Sequence, residues 1–153
     1  TPSAIALSRQ KVPYINPKNS KENKCEKGAY VVNITSHENN VTLVASGTEV
    51  ELALKVQEKL KENNIHSKVV SMPCMELFDK QSENFRKDII EQNSLVVTLE
   101  AGSIISWQKY VKNNGMSIGI DQFGESAPYK EVYSHFGLSE EKIVDFIQKK
   151  LRE

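Results

Sequence analysis

The 153-residue sequence has no apolar run approaching the roughly 20 residues of a membrane-spanning helix. It has no charge excess either: 20 lysines and arginines face 20 aspartates and glutamates. A nucleic-acid or membrane-surface protein usually shows a basic surplus, so the balance argues against both roles. Cysteine is scarce. Cys25 and Cys74 stand far apart, which fits neither a disulfide framework nor a zinc site and points to a reducing compartment. The 7 glycines form neither a P-loop nor a dinucleotide-binding fingerprint. His37, His66 and His135 are scattered without metal-ligand spacing, so they read as surface or structural residues. The chain opens Thr1-Pro2 without an initiator methionine or a signal peptide, from which we expect further sequence ahead of it.

What is present is an alternation of strand and helix patterns. AIALS at 4–8 reads as a short strand, and KVPYINPKNSKENK after it has no periodicity. We therefore expect residues 1–10 to end one domain, 11–27 to form a linker, and 28–153 to form a second domain. In that domain strands are expected at Tyr30–Ile34, Val41–Ala45, Lys68–Met72, Leu95–Leu99 and Met116–Ile120. The short loop at His37–Asn40 suggests that the first strand runs antiparallel. From Thr48 to Asn63, Leu52, Ala53, Val56 and Leu60 fall on one helical stripe widened by Val50 and Leu54, and Gln57 with Glu51, Lys55, Glu58 and Lys59 fills much of the remainder. Further helices are expected at Glu83–Gln92, Ile104–Lys112, Ala127–Phe136 and Ser139–Leu151, and MELFDKQ at 75–81 reads as irregular. Ser139 is a good N-cap before Glu140-Glu141. The whole implies a soluble three-layer α/β/α domain with a mostly parallel five-stranded sheet.

In open α/β sheets ligands sit beyond the carboxyl ends of strands. Four segments should gather there: Ser46-Gly47-Thr48, Met72-Pro73-Cys74, Glu100-Ala101-Gly102-Ser103 and Asp121-Gln122-Phe123-Gly124. Such a rim could hold a small anion at the helix start, or Thr48 could simply cap the helix while Gly47 makes the turn. Glu49 would oppose a phosphate there. Glu100 and Asp121 are a candidate acid–base pair, yet no nucleophile or metal pattern accompanies them, and loop capping is the plainer reading. Trp107 and Tyr110 share a helix face, where core or interface packing fits better than base stacking. Arg9, closing ALSRQ, is either surface decoration or a phosphate-binding guanidinium.

Six stretches in order decide between these: TPSAIALSRQ at 1–10, KGAYVV at 27–32, VTLVASGTEVELAL at 41–54, KVVSMPCMELFDKQ at 68–81, LEAGSIISWQKYV at 99–111, and IGIDQFGESAPYKEVYSHFGLSEEKIV at 118–144. The chain resembles the carboxy-terminal part of a transketolase, and ALSRQ, SMPxxELFxxQ and FGESAP are its specific strings. Dihydroxyacetone synthase is a related alternative. The resemblance implies a three-domain, homodimeric, cytoplasmic transferase of the pentose phosphate pathway. It would use thiamine diphosphate and Mg²⁺ or Ca²⁺ to move a two-carbon ketol unit from a ketose phosphate to an aldose phosphate. It implies that Arg9 binds the sugar phosphate, and that residues 1–10 close the middle, pyrimidine-type domain. The last domain would supply no catalytic, cofactor or metal residue. It would be inactive alone, its partners being the remaining domains and the second subunit. A regulatory small-ligand module is the other function open to it. No thiamine diphosphate motif lies within the chain.

Overall fold

A computed structural model of the chain describes residues 11–15, 23–36, 38–91, 93–111 and 115–153. Arg9, His37 and the expected strand at 4–8 lie outside the described residues. After a 3₁₀ turn at Lys24–Lys27 come β1 (Tyr30–Ile34), β2 (Val41–Ala45), α1 (Glu49–Glu62), β3 (Ser67–Ser71), α2 (Met75–Asp79), α3 (Glu83–Ile89), β4 (Leu95–Leu99), a 3₁₀ segment (Ile105–Tyr110), β5 (Met116–Ile118), α4 (Tyr129–His135) and α5 (Glu140–Arg152).

The sheet order is β1-β3-β2-β4-β5. β2 pairs in parallel with both β3 and β4, and β5 runs parallel to β4. β1 is antiparallel, as its short connection suggested, but its neighbour is β3 rather than β2. The reason lies in burial. VTLVA is buried at every position and needs sheet on both sides, whereas YVVNI is only partly covered and suits an edge.

Side chains alternate across the sheet and build two cores. On one face Val41, Leu43, Val69, Val97 and Leu99 meet Ala53, Val56 and Leu60 of α1 and Ile143 and Ile147 of α5. On the other, Val44, Val70 and Val96 meet Phe78, Ile89, Trp107 and Tyr110. Helices therefore cover both faces, giving the expected three layers. MELFD is helical rather than irregular: a five-residue turn is too short to show a period, and it drops Phe78 edge-on against Tyr110, ring centroids 5.8 Å apart. The segment carrying Trp107 and Tyr110 is a 3₁₀ helix, in which residues three apart eclipse. Both rings thus enter the core, as packing rather than as a stacking platform.

The second face carries a polar residue on each central strand, and each is satisfied. Thr42 and Ser94 hydroxyls lie 2.6 Å apart, and the Thr98 hydroxyl donates to Ser117 Oγ at 2.8 Å. Lys68, only 2% exposed, donates to the Asp88 carbonyl at 2.8 Å and to Glu91 Oε1 at 2.7 Å. It places a buried cation at the carboxyl end of α3 and ties that helix to the sheet. Gln57, grouped by the sequence with the charged residues outside the apolar stripe of α1, is buried, donating to the Ser67 carbonyl at 2.8 Å and accepting from Asn33 Nδ2 at 2.8 Å.

Lys68→Ala should cost about 3 kcal/mol, because it opens a cavity and strands the α3 carbonyl. Lys68→Met leaves the same carbonyl without its donor but keeps the volume and lets the part-exposed Glu91 turn to water, so without the cavity it should cost about 1–2 kcal/mol. Urea unfolding with unchanged slope checks the ordering; equal losses would contradict it.

Candidate functional site

The four predicted segments do meet at the carboxyl end of the sheet, but the contacts are those of a closed-off framework. Gly47 (φ +53°) turns the chain after β2 with open space where a Cβ would stand. Thr48 is not a side-chain cap. It already has helical dihedrals, and its hydroxyl donates to Glu49 Oε1 at 2.6 Å. Glu49 is 5% exposed, and the same oxygen accepts from the Tyr133 hydroxyl at 2.5 Å. A buried carboxylate in the first turn of α1 fills the place an anionic ligand would take, so an anion site there is not what the geometry offers.

Glu100 and Asp121 hold separate partners. Glu100 Oε2 accepts from Trp107 Nε1 at 3.0 Å and from Ser46 Oγ at 3.4 Å. Burial raises its pKa above the ordinary glutamate range, and repulsion from Glu49 adds to this against the two hydrogen bonds. Asp121 Oδ1 accepts from Ser103 Oγ at 3.2 Å and from the Ile104 backbone N–H at 3.1 Å, so it laces the loop after β4 to the end of β5. That is the loop-capping role. β5 ends at Ile118, short of the expected Ile120, because Gly119 passes against the neighbouring loop: a Cβ there would lie 2.7 Å from the Gly102 carbonyl oxygen. The Ile120 N–H then bonds that carbonyl at 2.7 Å.

Among the described residues no group of three His, Cys, Asp or Glu could hold a metal ion. Cys25 and Cys74 are free thiols. His66 is exposed, and His135 Nε2 lies 3.4 Å from Glu125 with both side chains over half exposed. No helix among the described residues is long and apolar enough to cross a membrane.

A wider hollow lies elsewhere. An open groove of about 1200 Å³ lies at the amino ends of β2 and β4, bordered by Asn40, Ser94, Leu95, Asp79, Arg86 and Tyr110. Sequence reasoning missed it, since its walls come from α2, α3, the 3₁₀ segment and the end of α5 without any motif. Its charges are largely paired internally: Lys109 with Asp79, Lys87 with Glu83, Lys150 with Glu153. Burial and the bond to Asp79 push the Tyr110 hydroxyl up to about 12. Burial opposes ionisation of Asp79, but the bonds from Lys109 and Tyr110 outweigh it and hold its carboxyl below the usual range. At the carboxyl rim the Cys74 thiol donates to Glu76 Oε2 at 3.6 Å, an exposed contact, and among the described residues no histidine joins it.

The fold defines a three-layer α/β domain with a mostly parallel five-stranded sheet. Residues 28–139 match the family model described as the transketolase-like C-terminal domain. The chain is 40% identical over 147 residues to the chloroplastic transketolase of Solanum tuberosum, covering 94% of this chain and 20% of that protein. It is 40% identical over 149 residues to the transketolase of Rhodobacter capsulatus, covering 94% of this chain and 22% of that one. Transketolase from Leishmania mexicana superposes with a TM-score of 0.76 at 33% identity, over 84% of this chain and 18% of that chain. The chain belongs to the transketolase C-terminal domain family, and it spans about a fifth of the length of the relatives it matches.

Glu100→Gln should raise the melting temperature at neutral pH. A carboxyl whose folded pKa is raised costs stability once it ionises, and the cost is absent below its ordinary value of 4.5. The gain should therefore shrink as pH falls from 7 towards 4. A gain independent of pH would show that repacking, not ionisation, is responsible.

Proposed function

We propose that this chain is the closing domain of a transketolase, which transfers a two-carbon ketol unit from a ketose phosphate to an aldose phosphate. The observation that carries the proposal is the family match over residues 28–139, together with 40% identity to named transketolases along nearly the whole chain. Within this reading the catalytic machinery, with thiamine diphosphate and Mg²⁺ or Ca²⁺, belongs to the other domains. The paired and buried groups of the rim support a structural role for this one. Residues 1–10 close the preceding domain, 11–27 link, and the packed unit begins near residue 28. Homodimer assembly and a cytoplasmic location form part of the same proposal. Several similar plant proteins are named chloroplastic.

The purified chain, given thiamine diphosphate, Mg²⁺ and sugar phosphates, should show background transfer only. The polypeptide that also carries the preceding domains should turn over. Turnover by the 153-residue chain alone would refute the structural role.

Arg9 is the one residue in the chain that we assign to substrate, holding the sugar phosphate by paired charge-assisted hydrogen bonds. In the complete enzyme Arg9→Ala should lower kcat/KM for phosphorylated sugars by about 10- to 100-fold, the equivalent of about 1.5–3 kcal/mol, through KM. Unphosphorylated sugars should be barely affected. Equal losses on both substrate types would remove Arg9 from the phosphate site.

A further inference from the structure

Two exposed apolar side chains lie on the carboxyl rim, one on each of two hydrogen-bonded loops. Phe123 is 98% exposed and Ile105 75%. They flank the Ser103–Asp121 and Ile104–Asp121 hydrogen bonds, which hold the two loops side by side. All residues from Asp121 to Glu131 are exposed, and the FGESAP string at 123–128 carries no secondary structure. A phenylalanine so fully in water, on a loop held at its base by Asp121 and further on by the exposed Glu125–His135 contact, is a side chain without its packing partner.

The charge of the same rim says what that partner presents. Residues 46–49, 72–76, 100–106 and 119–128 contain Glu49, Glu76, Glu100, Asp121 and Glu125 but no lysine or arginine, although the chain as a whole is neutral. The groove at the other end of the sheet differs, since its lysines and carboxylates neutralise one another. Four-fifths of the length of the related transketolases lies outside this chain, so the domain has a large body to seat on.

We propose that the carboxyl rim, through Phe123 and Ile105, is the face that seats this domain on the rest of a transketolase, and that the seat receives a basic side chain from it beside Glu100 and Asp121. The proposal rests on the reading above that a transketolase surrounds the domain. The apolar lip supplies the desolvated centre of the contact, and the incoming cation relieves the repulsion between Glu49 and Glu100. The face that elsewhere in α/β proteins takes a small ligand would here take a protein surface.

Hydrogen exchange on the complete enzyme tests this, comparing the wild type with the Phe123→Ser, Ile105→Ser double variant. In the wild type, amides 122–126 should exchange at least about tenfold slower than in the variant, while β2, β4 and α1 exchange alike in both. A Leu151→Ser control, at the opposite end, should leave 122–126 protected. Wild-type amides 122–126 exchanging at free-peptide rates, or protection surviving in the double variant, would overturn the proposal. Sugar-phosphate turnover by the wild type reports separately. Turnover with an unprotected rim overturns the seat alone; a protected rim without turnover supports the seat and removes the transketolase activity.

Discussion

Burial of β2 on both faces, with parallel partners on both edges, is the constraint on which the rest of the molecule depends. Val41 to Ala45 aligns residue for residue with Ser67–Ser71 on one side and Leu95–Leu99 on the other. Parallel strands cannot be joined by tight turns, so each crossing needs an intervening segment, and those segments cover the faces. That requirement sends the half-covered β1 to the edge beside β3. It also gathers the loops after β2, β3, β4 and β5 at one end. The rim is therefore a consequence of how the centre of the sheet is buried.

Such a centre is apolar enough to tolerate slipped registers, since VTLVA, SKVVS and LVVTL are similar strings. A slip of one residue would exchange the two faces. The buried polar groups work against that. Thr42 finds Ser94, Thr98 finds Ser117, and Lys68 finds the end of α3 only in the observed alignment. Moving Lys68 to the other face would leave a charge among Val56, Leu60 and Ile147 without the α3 carbonyl or Glu91. Among the described residues the exceptions to satisfaction are the amide of Asn39 and the hydroxyl of Ser67, both bordering the β1–β3–β2 corner.

Much of this was legible in the sequence because the signals were local. The bounds of β1, β2 and β4 follow from their β-branched runs, α1 follows within a residue at each end from its apolar stripe, and α5 begins just after Ser139, which accepts from the Lys142 N–H. What was not legible depends on partners distant in the chain. Gln57 groups with the charged residues of α1 until Asn33 and the Ser67 carbonyl meet it. Thr48 looks like a cap until Glu49 turns inward towards Tyr133 and takes its hydroxyl. Glu100 and Asp121 look like a pair because both end strands, and strand ends say nothing about which loop each carboxylate will lace.

Position in a fold is thus not the same as a site. The carboxyl end of a parallel sheet favours ligands because loops converge there and helix N-termini point at it. In this domain those advantages are already spent within the chain: Glu49 occupies the first turn of α1, Trp107 and Ser46 satisfy Glu100, and Asp121 is committed to Ser103 and Ile104. What these bonds leave outward is the apolar lip and an excess of negative charge. Both are properties of a surface built to meet another surface. A rim whose base is fixed by its own hydrogen bonds before contact leaves only the 122–128 loop to be ordered on docking, which limits the conformational entropy lost.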